Sequence, residues 1–590
     1  MKKFIYSFLG TMAGIWLSVL LGGVLIFLTF AVIASQYSSG TVDIQSNSVL
    51  RIDLSGSVSD RATTPSFMDV VQDKADDQLS LSELVNAIRT AAKDSNIDGL
   101  LLECNGASAG LAQCEEIINA IDEFKKSGKW VWAYSDNYTQ SEYFIAVTAD
   151  SVFLNPVGMV DIHGLSAQTM FFKDLMDKVG VEAQVVKVGT YKSAVEPFLL
   201  NSMSEANRRQ VEHFTGRIWD NIAKTIAARR HSSIDSVNTW ANSFAFAQSP
   251  QTYLNEKIID GLKYRREIDL LVTSKTKTDD PRYVDLKDYC TAITSGNVNI
   301  AKEKTDKKIA VLYALGDITE SDTEGIASDR LVPQILELAD DETIDGLILR
   351  VNSGGGSAFA SEQIWEALQQ FKKQTGKPFY VSMGDMAASG GYYISCGADK
   401  IYASPLTLTG SIGIFGIIPN IQPLLKDKLG VNIETVETNT GSFPTITQPM
   451  NEQQRQAMQS YVDRGYELFV KRCADGRGMT VDQIKEIAEG RVWDGLSALD
   501  NGLVDDLGGL RKTIDDMAAE LGTDFSHIKI QEYPELTTQW WEMLMAMDDS
   551  SISAALAANT DLTQAALKRL AQRISSMYPL QCRTNYIYFK

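Results

Sequence analysis

The chain repeats itself, and that repetition restricts its fold more than any other feature. Asp98–Ile117 reads DGLLLECNGASAGLAQCEEI and Asp345–Ile364 reads DGLILRVNSGGGSAFASEQI, 247 residues apart and without a gap. FKKSGK from Phe124 and FKKQTGK from Phe371 keep that spacing. Ala149-Asp150 then matches Ala398-Asp399, and Asn155-Pro156 matches Ser404-Pro405, at a spacing of 249. Earlier, Ser48–Leu54 before Gly56 resembles Lys308–Leu315 before Gly316. Two copies of one unit are expected, over 45–300 and 308–535, joined by a lysine-rich linker. A pair of domains also suits 590 residues, too many for one ordinary core.

Each copy alternates between two periodicities. Leu347–Val351 is a short apolar run suited to a buried parallel strand. Ser361–Phe371 carries Ile364, Leu368 and Phe371 at helical spacing. Pro378–Met383 reads as a strand, Ala387–Cys396 as a helix with small residues on one face, and Ile401–Ala403 as a further strand. Strand, helix, strand in succession predicts α/β layers with parallel pairing.

The flanks differ from the copies. Lys2 and Lys3 open the chain, and no charged residue follows until Asp43. The apolar stretch between, from about Phe8 to Ala34, exceeds a secretory h-region and reaches the about 20 residues a membrane helix needs. Residues 1–40 are therefore expected to be an uncleaved anchor rather than a removed signal peptide. The two lysines predict a cytoplasmic amino end, with the repeats across the membrane. Residues 536–590 form an extension to which the pattern assigns no role.

Composition excludes several functions. A net charge of −20 opposes phosphate backbones, so no nucleic-acid partner is expected. Six scattered cysteines form no CxxC pair and read as small buried hydrophobes rather than a disulfide framework. Four histidines, with no HExxH, suggest neither a metal centre nor a cofactor.

Comparison of the copies exposes candidate chemistry. The second has a glycine loop, Asn352–Ser357, directly after a strand, and later Ser389 within MGDMAASGGYY. A serine at a helix start, beside backbone N–H groups of a glycine loop, suits acyl transfer through an oxyanion hole. The loop lacks the lysine of a P-loop. Taken alone, it could be a turn, and Ser389 could be helix packing. The first copy has Gln140 where the second has Ser389. But it carries Lys192 in KVGTYKSAVEPF, opposite about Ser442, where the second copy has no lysine. Alone, Lys192 could equally pair with Glu196 one turn on. Together, each copy holds half of a Ser-Lys pair.

These motifs, with LTGSIGIFG and GRVWDGLSALDNGLVDDLGG, resemble signal peptide peptidase A (protease IV) in its long duplicated form, over essentially the whole chain. The resemblance implies tandem crotonase/ClpP-like domains, a membrane anchor and a homo-oligomeric bowl, a tetramer. It also implies a serine endopeptidase degrading cleaved signal peptides and other extended peptides, in a bacterial inner membrane with periplasmic catalytic domains. It puts the nucleophile on Ser389, the base on Lys192, and the oxyanion donors on the N–H groups of Gly355 and Gly390. Ser411 and Ser193 are candidates for orienting the pair. The family's usual proline before the glycine pair is Gly354 here. Two other functions share parts of the pattern: a crotonase-like acyl-thioester enzyme and a non-catalytic membrane scaffold.

Overall fold

The computed structural model describes residues 12, 14, 16, 20–21, 42–62, 78–300, 307–322, 325–439, 441–442, 445–535 and 581–583. Most of the expected anchor, and all of the extension except 581–583, lie outside the described residues. Among the described residues no helix is long and apolar enough to cross a membrane.

The first repeat contributes β1 (Ser48–Leu54), β2 (Ile97–Cys104), β3 (Trp130–Tyr138), β4 (Ser151–Val160), β5 (Glu182–Lys187), β6 (Gly261–Leu262) and β7 (Tyr283–Asp285). All but β5 form one parallel sheet in the order β6-β4-β3-β2-β1-β7. Its helices include α1 (Leu111–Lys125), α2 (Gln140–Ala146) and α3 (Glu205–Arg229).

The second repeat contributes β8 (Lys307–Leu315), β9 (Gly346–Ser353), β10 (Gly355–Ser357), β11 (Phe379–Ala388), β12 (Lys400–Ala403), β13 (Leu408–Gly410), β14 (Phe415–Asn420), β15 (Val492–Asp494) and β16 (Ile528–Tyr533). Its main sheet runs β15-β13-β11-β9-β8-β16, with β12 also on β11. The helices α4 (Ala358–Thr375), α5 (Gly390–Ser395) and α6 (Glu452–Arg477) correspond to α1, α2 and α3. The order β4-β3-β2-β1 thus recurs as β12-β11-β9-β8.

Parallel strands covered on both faces must be apolar on both faces. Leu100, Leu101 and Leu102 of β2 are fully buried, and alternation sends Leu100 and Leu102 to one core and Leu101 to another. Leu347, Ile348 and Leu349 of β9 divide in the same way. Two limits differ from the sequence expectation. β11 runs on to Ala388, where a helix from Ala387 is expected, and α5 starts only at Gly390. Side chains on Ala387 and Ala388 permit either conformation; pairing of β11 with β13 through Met386–Ala388 decides it. Free Cys104, Cys114, Cys396 and Cys473 are buried.

A third sheet joins the repeats. β5 pairs antiparallel with β14, Glu182 opposite Asn420 and Lys187 opposite Phe415. β17 (Gln581–Arg583) lies antiparallel to β10 and meets β14 at Phe415.

Elsewhere the repeats dock through buried charge. Arg350 is 1% exposed, with Nη2 2.6 Å from both Asp60 Oδ1 and Glu116 Oε1. Its Nη1 donates to Ser382 Oγ at 2.9 Å and Asn352 Nδ2 donates to Asp60 Oδ2 at 2.7 Å. Burial would push the Asp60 carboxyl up, but Arg350 and these donors hold it below its ordinary value. Asp385 accepts from Ala112 N at the start of α1, 2.9 Å away. Burial, then the Asp60 charge, pushes Asp385 up to about 6. Gly110 is required there, because a Cβ would lie within 2.2 Å of the Asp385 carboxylate.

Glu115 of α1 accepts a hydrogen bond from the Ser404 hydroxyl across the same junction. Burial raises its carboxyl from an ordinary 4.5 to about 7. Between those values the folded chain keeps a proton that the unfolded chain has lost, so stability falls as pH rises through the window. Glu115→Gln should therefore melt like the parent at about pH 4 and be the more stable protein at about pH 8, by up to about 3 kcal/mol. Thermal unfolding at the two pH values checks this.

Candidate active site

Ser389 sits in the one-residue joint between β11 and α5, with φ 56° and ψ −114°. This is a strained position for a residue with a Cβ, and such strain is concentrated where a side chain must be aimed. Its backbone N–H donates to Gly410 O at 2.8 Å, which locks the joint to β13. Ser411 follows Gly410 directly and also has positive φ, 51°.

Lys192 arrives from the other repeat. β5 ends at Lys187, and the chain then crosses to Ser193–Val195, a single 3₁₀ turn. Lys192 Nζ is 2.8 Å from Ser389 Oγ, 3.1 Å from Ser411 Oγ and 3.1 Å from Ser411 O. Ser389, Lys192 and Ser411 are 0%, 1% and 1% exposed. The Phe415 ring centroid lies 6.0 Å from Nζ, and Phe415 packs with Val195, Ile417 and the partly buried Phe198. The expected apolar surroundings of the lysine thus include Phe415 of the second repeat as well as Val195 and Phe198. Glu196, one turn on, accepts from Ser204 N, Ser204 Oγ and Asn207 Nδ2.

The glycine loop flanks this pair. Gly355 has φ 101°, a region closed to most residues, and its N–H donates to Ser353 Oγ at 3.1 Å. Gly390 packs on it: a Cβ at Gly390 would lie 3.1 Å from Gly355 Cα. The two N–H groups named from sequence therefore belong to adjoining residues beside Ser389. Ser193 Oγ accepts from Gln210 Nε2 at 3.2 Å.

The corresponding place in the first repeat is closed. The Gln140 carboxamide accepts from His163 N and Gly164 N and donates to Gly164 O, each at 2.9 Å. Glu142 Oε1 accepts from Gly106 N at 2.6 Å and Ala107 N at 2.9 Å. An anion supplied by the chain itself thus fills the amide-rich loop where the second repeat has its glycines. His163, His213 and His527 hydrogen-bond to Asp161, Ser497 and Asp524. Among the described residues, no group of three or more His, Cys, Asp or Glu could hold a metal ion.

Sequence reasoning missed the turn Glu489–Arg491. Tyr191 N donates to Glu489 O at 2.9 Å, Gly490 N to Ile412 O at 2.8 Å, and Ser411 N to Arg491 O at 2.7 Å. These are backbone bonds, which leave no residue-type signal beyond the glycine.

The model of peptidase family S49 matches residues 123–273 and 371–524, one segment in each repeat, and that of Clp protease matches 303–408. The chain is 33% identical over 582 residues to Protease 4 of Haemophilus influenzae, covering 94% of this chain and 91% of that protein. It is 36% identical over 479 residues to Protease 4 of Salmonella typhi, covering 78% and 76%. A chloroplastic serine protease SPPA of Arabidopsis thaliana is 28% identical over 490 residues, covering 80% and 69%.

Gly490 has φ 76°, and a Cβ there would lie 2.6–2.7 Å from Lys192 Cβ, Cα and N. Gly490→Ala should cost about 1–2 kcal/mol for the backbone conformation alone. The clash should also displace Lys192 and lower peptide hydrolysis at least about tenfold. Thermal melts and rates on the same preparation separate the two effects.

Proposed function

The chain belongs to peptidase family S49, as two tandem ClpP-like α/β domains, and on that footing we propose that Ser389 and Lys192 form its catalytic dyad. It is a serine peptidase of the signal peptide peptidase family. The observation that carries the dyad is the 2.8 Å approach of Lys192 Nζ to Ser389 Oγ, each side chain supplied by a different repeat. The domain limits 45–300 and 308–535 belong to the same reading, the first unit supplying the base and the second the nucleophile.

A lysine base must enter the reaction neutral, and burial disfavours its charged form. Neutral Lys192 takes the proton of Ser389 Oγ as that oxygen attacks the scissile carbonyl. The N–H groups of Gly355 and Gly390 hold the oxyanion, once Gly355 N–H is drawn from Ser353 Oγ to the substrate. Lys192 returns the proton to the leaving amine, and water releases the acyl group from Ser389. Ser411 holds Nζ in line through its hydroxyl and carbonyl. The substrate lies extended beside β10, where β17 now runs, adding a strand to the sheet.

The substrates we assign are cleaved signal peptides and other extended peptides at a bacterial inner membrane. Residues 1–40 anchor the chain in its lipid, with the amino end cytoplasmic and the domains periplasmic. We also assign a homo-oligomer, a tetramer by family resemblance. The repeat itself supports assembly. Residues 166–171 correspond to β14 and 432–437 to β5, yet neither segment forms a strand here. A second copy could pair them as β14 pairs with β5.

Ser389→Ala and Lys192→Ala should each lower peptide hydrolysis by about 10³-fold or more, with unchanged thermal unfolding. Retained activity in Lys192→Ala would remove the dyad. The full chain should stay with membranes at high salt and, in detergent, scatter light as a tetramer. A monomer released by salt alone would count against anchor and assembly together.

A further inference from the structure

The loop that carries Lys192 lies outside every strand, so something else must fix the base to within a fraction of an ångström. We propose that Gln210 is the positioning residue for that base, its carboxamide tying the Lys192 loop to the second repeat. The inference rests on the Ser389–Lys192 reading and concerns a residue that no motif in the chain points to.

Gln210 lies in the second turn of α3 and is 2% exposed. Its Nε2 donates to Tyr191 O at 3.2 Å and Ser193 Oγ at 3.2 Å, the residues on either side of Lys192. Asn207 Oδ1 lies at 3.0 Å as a third acceptor, so the two N–H groups of the amide are shared among three oxygens. Its Oε1 accepts from Val492 N of the second repeat at 3.2 Å. A backbone N–H can only donate and a backbone carbonyl can only accept, so these partners fix which end of the amide points where.

Both ends lead to the reacting atoms by short routes. Through the Tyr191 carbonyl the amide holds the residue before Lys192. Through Val492 it holds β15, where Val492 pairs with Gly410. Gly410 O in turn accepts from Ser389 N. One side chain therefore spans from the base's loop to the nucleophile's strand. Behind it, Asn207 donates to Glu196 at 2.9 Å, so the start of α3 and the turn after Lys192 move as one body. None of these bonds is short; their value is geometric, because about 1 Å of misplacement can cost about 10²-fold in rate.

Gln210→Met keeps the length and bulk of the side chain and removes its hydrogen bonds. It should lower kcat about 10- to 100-fold with KM within about twofold. Gln210→Glu keeps the acceptor toward Val492 N but sets a carboxylate against the Tyr191 carbonyl. It should lower kcat and also move the acid limb of the kcat/KM–pH profile upward by about half a unit to one unit, because a nearby negative charge favours the ammonium form of Lys192. Tyr191 and Glu196 on the loop, with Glu489 and Arg491 on the facing turn, are common to all variants, so the displacement reads the new charge. If Gln210→Met does not fold, the displacement in Gln210→Glu decides. The inference is overturned if kcat of folded Gln210→Met stays within twofold of the parent, or if the limb of Gln210→Glu does not move. Lys192→Ala separates the failures. If it is active, the dyad reading falls; if it is inactive while Gln210→Met matches the parent, only the role of Gln210 falls.

Discussion

Arg350 is buried between Asp60 and Glu116 of the other repeat, and the rest of the molecule depends on that docking. A guanidinium inside a protein is costly unless its charge and its donors are matched. Here the match is complete only when the halves are together, because Asp60 and Glu116 lie in one and Ser382 and Met383 O in the other. Separation would leave charge facing an apolar sheet face. The arrangement adds specificity of register, since a carboxylate at Asp60 and a cap on α1 by Asp385 fit one relative placement of the repeats.

That placement brings the lysine of one repeat to the serine of the other. The repeated pattern is visible in both halves, but the two differ in a complementary way. In the second repeat the glycine loop is buried beside Ser389, with Gly355 and Gly390 in contact and Gly355 N–H donating to Ser353 Oγ. In the first, Glu142 satisfies the loop amides and Gln140 binds the segment at Gly164. Backbone N–H groups gathered in one place attract an anion whichever fold region holds them. The first repeat meets that demand with its own carboxylate, whereas in the second Gly355 N–H turns to the Ser353 hydroxyl.

Unusual backbone conformation also marks this place. Ser389 and Ser411 both have positive φ, as do Gly355, Gly410 and Gly490 around them. Positive φ at a serine persists only where surrounding bonds over-determine it. Ser389 N–H to Gly410 O and Ser411 N–H to Arg491 O supply that restraint. The sheet thus holds two hydroxyls toward Nζ, through the same hydrogen bonds that stabilise the fold.

Much of this was legible in the residues. The 247-residue spacing implied two like α/β units, because identical hydrophobic periods fold alike. Ser389 and Lys192 stood out because each repeat lacked what the other had. Ser411 at the lysine was foreseen as a candidate; Ser193 was too, but it contacts Gln210 instead. Gln210, the turn at Gly490, the plug at Glu142 and the end of β11 were not foreseen. A glutamine, a turn carbonyl and a buried glutamate are common residue types with no periodic signature. Their roles come from contacts with backbone groups up to 282 residues away. Sequence alone determined the repeated α/β pattern and the complementary serine and lysine, since both are local in residue type. Only the tertiary structure decided their 2.8 Å meeting and the strut that holds it, because those depend on how two separately patterned sheets dock.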